Sequence, residues 1–320
     1  MSLSFQPESR ISETTRKKVL EIAAEINYSP NAAARGLRSG RTKTIGFLIN
    51  DITNPFYGSM IRMSEQIASE RGYEIIFSES QWEPDRATKV VSKMIQSRIE
   101  GIILCFSEKN EDTYHLVQQS GLPHVAVDTI PTFYSGSYIL NDGHNTGYLA
   151  AQHLCTTGCK HIALVNAWND LGDFSSIGQM EKGFNLYLEE HQFPAKNCIV
   201  IKAGLTIDSG KQAYKELEKS GVQYDGIFCM NDLCAMGFMH ESKVTGTTPG
   251  RDYAIIGVDN NDVSDLAMIS LTSISIDYDA IAEMATNFLI DLIDGKEKGE
   301  LKKIVKPKLI ERNSTSLFNQ

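Results

Sequence analysis

The sequence predicts an α/β protein built of two lobes, each a doubly wound parallel sheet. Short apolar segments alternate with amphipathic helical segments from residue 45 onward, and the alternation occurs in two successive runs. Segments such as YAIIGV and GIILCF are apolar throughout, which is typical of strands covered on both faces. A length of 320 residues is enough for two lobes, since single cores rarely grow past about 250–300 residues.

The first run contains four strands and three helices. In order they are TIGFLIN, a helix over 55–71, YEIIFSE, a helix over 85–97, GIILCF, a helix over 112–119, and HVAVD. The second run follows YILND and comprises a helix over 145–157, HIALVN, a helix over 176–190, CIVIKA, a helix over 208–219, GIFCMN, a helix over 232–243, and YAIIGVD. The tail, with SISID, a helix over 279–293 and IVKPKLIE, returns to complete both lobes.

Polar and aromatic residues follow the carboxyl ends of these strands, where open α/β sheets bind ligands. They are Asn50, Asp51, Asn54, Asp128, Trp168, Asp170, Asn231, Asp232, Asp259, Asn260 and Asn261. Two lobes that present such ends toward each other form a cleft that can close on a small molecule.

Composition and motifs exclude several classes of protein. The longest apolar runs are far shorter than the roughly 18–20 residues of a membrane span, and no signal peptide is visible. The six cysteines form no CxxC pair, which favours reduced, buried thiols in a cytoplasmic protein. Phosphate-binding glycine motifs, a nucleophile elbow and metal-ligand spacings are also missing from the sequence. We therefore expect no catalytic residues, no metal and no cofactor.

The charge is divided between a basic N-terminal end and an acidic body. Residues 8–43 carry eight Lys/Arg against four Asp/Glu, a balance of +4, whereas the remaining residues sum to −13. This division indicates an end that meets a polyanion, although a solvated basic tail is an equally simple explanation.

Two helical segments are predicted within the basic end. Residues 12–28 form an amphipathic helix that begins at Ser12 as N-cap. A helix of about two turns follows in PNAAARGLRSG, where Leu37 stands between Arg35 and Arg38. An apolar side chain flanked by cations is what proteins use to open a base step in the minor groove of DNA.

Segments along the whole chain resemble the lactose-repressor (LacI) family of bacterial transcription regulators. Those that carry the resemblance, in family order, are RISETTRKKVLEIAAEINYSPNAAARGLRSGRTKTIGFLI, DITNPFY, GYLAAQHLCTTGCKHIAL, CMNDLCAMG, DYAIIGVDNN, ISLTSISID and LIERNST. The resemblance implies that Leu37 is the hinge leucine that opens operator DNA, with Asn31, Ala34 and Arg35 as further hinge contacts. It also implies a type I periplasmic-binding-protein-like core. Because only ten residues precede the family's third helix, we expect a truncated regulator without the two sequence-reading helices.

The resemblance also implies a domain division and a set of ligand contacts. Residues 1–43 would be the remnant of the DNA-binding domain with the hinge helix, 44–142 and 276–300 the N-terminal lobe, and 143–275 and 301–316 the C-terminal lobe. The chain would cross between lobes near 142–144, 273–276 and 300–303. Effector contacts are expected at Phe56, Tyr57, Asp128, Asn231 and Asp259. Asn231 could instead cap the helix that follows, and Asp128 could cap a turn.

Two of the expected contact positions depart from the family pattern. Met180 stands where the family often has an arginine, and Leu205 where it often has an aromatic residue. Trp168, with Phe174, could supply the missing aromatic wall or could simply pack its loop. The effector class therefore stays open between a sugar or related metabolite, a phosphorylated metabolite and a protein co-regulator.

The function predicted from these observations is a cytoplasmic, ligand-responsive transcriptional regulator of the repressor type. Its predicted partners are operator DNA, a small polar effector and a second copy of the chain, the homodimer forming through N-lobe surfaces that include the 55–71 helix. No membrane partner is expected. A periplasmic-type sugar-binding protein is the main alternative, and an enzyme of two α/β lobes is a further one.

Overall fold

The computed structural model describes residues 11–26, 41–106, 111–131, 133–167 and 175–316. In chain order, its strands are β1 (Thr44–Ile49), β2 (Glu74–Glu79), β3 (Gly101–Cys105), β4 (His124–Asp128), β5 (Tyr138–Asn141), β6 (Ile162–Asn166), β7 (Cys198–Lys202), β8 (Gly226–Cys229), β9 (Ala254–Val258), β10 (Thr272–Ser275), β11 (Lys302–Val305) and β12 (Lys308–Ile310). Its helices are α1 (Glu13–Glu25), α2 (Pro55–Glu70), α3 (Pro84–Gln96), α4 (Glu111–Ser120), α5 (Gly143–Thr156), α6 (Ser176–Glu190), α7 (Ile207–Ser220), α8 (Asp232–Thr245) and α9 (Tyr278–Ile293).

The strands form two six-stranded sheets, which confirms the predicted α/β fold with two lobes. The first sheet has the order β11-β5-β4-β3-β1-β2 and is parallel throughout. The second has the order β12-β10-β9-β8-β6-β7, and only its edge strand β12 is antiparallel. Because both sheets are parallel at their centres, their strands carry the continuous apolar runs that the sequence displays.

Alternating side chains of the first sheet enter two different cores. On β1, Phe47 packs in the core that contains α2 and α9, while Leu48 packs in the core that contains α3 and α4. Both side chains have no exposed surface. This alternation follows from the period of two along a strand, and it covers both faces of the sheet.

The chain crosses between the lobes three times, and one crossing differs from the sequence-based expectation. The first crossing lies at residue 142 between β5 and α5, and the second at 276–277 between β10 and α9. The third was expected near 300–303, with 301–316 assigned to the C-terminal lobe, and this is wrong. Strand β11 pairs with β5, Lys302 opposite Tyr138, so the N-terminal lobe extends to Val305. The reason is that β11 is an exposed edge strand whose sequence, KKIV, lacks the apolar character of a central strand.

Helices α5 and α6 pack closely through two glycines. A Cβ atom at Gly147 would overlap the carbonyl group of Met180, and one at Gly183 would overlap that of His144. Glycine at both positions therefore allows the two backbones to touch. This contact fixes α6, whose first turn reaches the face between the lobes.

Helix α1 begins as predicted from the sequence. The hydroxyl oxygen of Ser12 accepts a hydrogen bond from the backbone N–H of Thr15, which confirms Ser12 as the N-cap. Ala23 is buried, whereas Ile22 and Ile26 are 53% and 61% exposed. The apolar stripe of this helix is thus largely uncovered.

Candidate ligand-binding cleft

A cleft lies between the lobes, at the carboxyl ends of the parallel strands, and its cavity measures about 50 Å³. Its lining residues are Asn50, Asn54, Phe56, Tyr57, Trp82, Asp128, Thr129, Ser175, Ser176, Ile177, Met180, Leu205, Met230, Asn231, Asp259 and Tyr278. Both lobes contribute residues to this lining, as expected for open α/β sheets that face each other.

Most of the residues singled out from the sequence meet in this cleft. Those that line it together are Phe56, Tyr57, Asp128, Met180, Leu205, Asn231 and Asp259. Trp168 and the four hinge residues Asn31, Ala34, Arg35 and Leu37 lie outside the described residues. Their roles stay predictions from the sequence.

Asp128 ends β4 and is held by a neighbour from the same sheet. The side-chain amide of Asn141 donates a 2.6 Å hydrogen bond to its Oδ1. The same amide lies 3.2 Å from Ser176 Oγ in the other lobe, so Asn141 links the two sides of the cleft. Burial raises the pKa of Asp128 to about 7, because the ionised carboxylate loses hydration there.

Asp259 follows β9 and has one carboxyl oxygen without a partner. The hydroxyl group of Tyr278 donates a 2.8 Å hydrogen bond to Oδ1. Oδ2 is shielded from solvent and meets no hydrogen-bond donor among the described residues. Burial raises the pKa of Asp259 well above its ordinary value, and the negative charges of Asp232 and Asp128 raise it further against the opposing effect of Tyr278.

A second buried acid, Asp232, holds the loop that carries Asp259 through hydrogen bonds. Its carboxylate accepts hydrogen bonds from the backbone N–H of Asn261 at 2.8 Å and from the hydroxyl groups of Ser264 and Ser273, both at 2.6 Å. Burial raises the pKa of Asp232 to about 6, although these hydrogen bonds oppose the rise. Asp232 is therefore a positioning residue for the loop.

Asn231 makes structural hydrogen bonds through both the oxygen and the nitrogen of its side-chain amide. Its Oδ1 accepts a 2.9 Å hydrogen bond from the backbone N–H of Cys234 and so caps α8. Its Nδ2 donates a 2.8 Å hydrogen bond to the carbonyl oxygen of Leu205. The capping role that the sequence left open is thus present, and Asn231 shapes the cleft by fixing Leu205 beside it.

Two aromatic residues of the lining were not predicted from the sequence. Tyr278 follows the carboxyl end of β10, and its ring stacks on Phe56 with centroids 4.8 Å apart. Trp82 follows β2 and enters the cleft from a tight turn in which the N–H of Glu83 donates to the carbonyl oxygen of Ser80. The strand-end rule that pointed to Asp128 and Asp259 would have found both rings if it had been applied to the residues that follow β2 and β10.

Three residues at these strand ends have a strained backbone. Trp82, Asp128 and Asp259 have φ values of 62°, 69° and 100°, in the left-handed region that non-glycine residues rarely adopt. Each such residue typically costs of order 1–3 kcal/mol, and such strain tends to cluster at binding sites. These three residues line the cleft, whereas the other described non-glycine residues with positive φ do not.

Metal binding and membrane spanning find no support in the described part of the chain. No group of three or more His, Cys, Asp or Glu residues in those ranges is placed to hold a metal ion. Within the same ranges, no helix has the length and apolar character needed to cross a bilayer.

Comparison with known proteins identifies the family. The family model for the periplasmic binding protein-like domain matches residues 151–315. The chain is 31% identical over 264 residues to catabolite control protein A of Priestia megaterium, covering 82% of this chain and 79% of that protein. It is 29% identical over 317 residues to the HTH-type transcriptional regulator DegA of Bacillus subtilis (strain 168), covering 97% and 92% of the two chains.

A solved structure agrees with these relatives. The LacI family transcriptional regulator from Enterococcus faecium, solved with bound ribose, superposes with a TM-score of 0.78 at 26% identity, covering 85% of this chain and 98% of that one. The fold and the inter-lobe cleft define a ligand-responsive regulator. The chain belongs to the LacI family of transcriptional regulators.

Proposed function

We propose that this chain acts as a repressor-type regulator in which a small polar metabolite binds between the lobes and changes the affinity for operator DNA. The observation that carries the proposal is the cleft itself, where Asp259 presents an unpartnered carboxyl oxygen beside the stacked rings of Phe56 and Tyr278. A site with a few polar groups on an apolar floor is typical of metabolite binding. A regulator that acts on DNA would work in the cytoplasm.

Closure of the cleft would be transmitted through the first lobe to the predicted hinge. Residues 41–43 join the hinge segment to β1, and Arg41 forms ion pairs with Glu100 and Asp294 of that lobe. A rotation of the first lobe therefore moves the end of the hinge segment that joins residue 41. To reverse a 1:99 balance between two states, a ligand must favour one of them by about 5.5 kcal/mol.

We place the action in a homodimer, because exposed apolar side chains occur on both lobes. On the edge strand β2, Ile76 and Phe77 are 43% and 51% exposed. On the second lobe, Ile207 and Met268 are 44% and 77% exposed, and they flank an apolar groove beside α7 and α8. Apolar patches of this kind favour association with another protein surface. A second copy that covers both patches would hold two hinge segments side by side.

The test of the ligand-binding function is a thermal-shift screen of the purified chain. The compounds would be sugars, sugar phosphates, nucleosides and amino acids. A ligand present at 100 times its dissociation constant adds about 2.7 kcal/mol of stability, which gives a clear shift in Tm. A hit that disappears in Asp259→Ala supports the cleft as the sensor. No hit in any class would favour a protein co-regulator instead.

A further inference from the structure

The part of the cleft lining that the structure describes carries carboxyl groups without an opposing cation. Among the described residues that line it, Asp128 and Asp259 bear carboxyl groups, and none is lysine, arginine or histidine. Met180 lines the same space and is buried and uncharged. A carboxylate that is removed from water without a partner is strongly destabilised. Ionisation of either carboxyl group therefore calls for a positive charge that no described residue of the lining supplies.

Aromatic rings surround the two carboxyl groups. Phe56 lies between Tyr57 and Tyr278, with ring centroids 3.9 Å and 4.8 Å away, and Trp82 lines the same space. The face of an aromatic ring attracts a cation that lies within about 6 Å of its centre. Rings and carboxylates together form an environment suited to an ammonium group rather than to an anion.

The hydrogen-bond pattern leads to the same class of ligand. Asp259 Oδ2 can only accept a hydrogen bond when ionised, and the protein brings no donor to it among the described residues. A neutral hydroxyl group could supply one donor, but it would leave the charge uncompensated. An ammonium group supplies three donors together with the missing charge.

The helix N-termini at this edge are the main argument for an anionic ligand, and one backbone donor of each is already taken. The side chains of Asn54, Ser175 and Asn231 accept hydrogen bonds from the first turns of α2, α6 and α8. These caps take up donors that a phosphate group would otherwise bind. A phosphate would also have to lie close to Asp128 and Asp259.

We propose that the cleft selects a small ring-bearing ligand with a protonated amino group, such as an amino sugar, and that this group binds between Asp259 and Asp128. The inference rests on the proposed metabolite-sensing function and names the charge class of its ligand. The ring of the ligand would lie along the aromatic residues of the lining, with the ammonium group directed at Asp259 Oδ2.

The test compares ligands that differ only in this charge. Glucosamine, galactosamine and mannosamine would be titrated calorimetrically at pH 7.0, each beside its N-acetyl form, its parent hexose and the hexose 6-phosphate. The N-acetyl form retains an N–H donor but removes the positive charge. We expect at least one amine to bind about 10- to 100-fold more tightly than its three counterparts, as for a charge-assisted contact.

Variants then assign the effect to the cleft. Asp259→Asn preserves the shape of the side chain. We expect it to lower the affinity for the amine at least about tenfold and to leave the affinity for a neutral hexose nearly unchanged. Asp208→Asn is the matched control, because the Asp208 side chain is 89% exposed on α7 and lies outside the lining. The control should bind like the parent chain.

The outcomes separate the inference from the function on which it rests. A parent hexose, an N-acetyl sugar or a phosphate that binds as tightly as the amine overturns the amine selectivity and leaves the metabolite sensor intact. If no amine binds while the broader metabolite screen gives a hit, the charge class proposed for the ligand is likewise wrong. If neither panel binds to the folded chain, both proposals fall.

Discussion

Arg41 and Asp294 are 253 residues apart in the sequence and form an ion pair of 3.0 Å. Asp294 follows the end of α9 and also accepts hydrogen bonds from Tyr73, at 2.8 Å, and from Lys43, at 3.4 Å. Tyr73 and Arg41 hold the pKa of Asp294 well below its ordinary value. One carboxylate thus ties the segment entering β1 to the last helix of the same lobe.

Replacing Asp294 with asparagine should loosen the entry to β1. We expect a loss of about 1–2 kcal/mol of unfolding free energy, since the pairs are partly exposed and screened. Faster amide hydrogen exchange at residues 41–44 is the second expected effect, measured by mass spectrometry. Because the folded pKa is lowered, the stabilisation is present above the unfolded value near 4 and is lost as the pH falls below it.

A matched control for this variant is Glu189→Gln, which changes an exposed carboxylate on α6 of the other lobe. It should leave both the stability and the exchange rates unchanged. Identical behaviour of the two variants would show that the ion pairs of Asp294 do not anchor the segment.

Asp259→Asn should stabilise the ligand-free chain at pH 8. The raised pKa of Asp259 means that its ionised form is disfavoured in the folded state, so its contribution is favourable at low pH and is lost as the pH rises through the folded pKa. An amide can accept the same hydrogen bond from Tyr278 without carrying a charge. We expect a gain of about 1–3 kcal/mol at pH 8 and a much smaller gain at about pH 3.5, below the unfolded pKa near 4, from urea unfolding. An equal change at both pH values would contradict the assigned cause.

Gly147→Ala should destabilise the second lobe by about 3 kcal/mol or more, because the added methyl group has no room between α5 and the Met180 carbonyl. Gly58→Ala on α2 is the control, since nothing lies within 4 Å of the added atom. There the higher helix propensity of alanine should stabilise the chain by about 0.5–1 kcal/mol. Thermal unfolding of the two variants should therefore shift in opposite directions, and similar shifts would refute the close helix contact.

Phe77→Glu should weaken the proposed homodimer. The side chain is half exposed on the edge strand β2, and a carboxylate there would have to be desolvated on association. Sedimentation velocity at micromolar concentration measures the change. Glu74→Gln on the same strand serves as the control, since Glu74 is exposed and begins β2, three residues before Phe77. A dimer that persists in Phe77→Glu would move the interface away from this edge.

The central strands and helices were predictable because each carries its own signal. An apolar run such as AIIGV in β9 is unfavourable in water, so its burial is expected, and all five residues are buried. Strand β11 lacks that signal because its first three residues are exposed and only Val305 is partly buried against the core. Its lobe assignment depends on a partner, Tyr138, that lies far away in the sequence.

The candidate site was predictable in position but not in detail. The strand-end rule located Asp128 and Asp259, since parallel strands end at a common edge. It left open whether Asn231 caps α8, and it could not reveal that Asp232 accepts three hydrogen bonds, two from the loop after β9 and one from Ser273 on β10. The role of Asp232 is decided by contacts across about 30 to 40 residues of sequence separation, which residue types alone do not encode.

The interleaved path of the chain has a consequence for its synthesis. The N-terminal lobe receives α9 and β11 from residues 278–305, after the whole of the other sheet except β12 has been made. At about 5–20 residues per second, the ribosome spends tens of seconds between β1 and β11. During that interval β5 has an open edge and the surface beneath α9 is bare. We therefore expect chaperones to bind the exposed surface of the nascent chain until β11 has been synthesised.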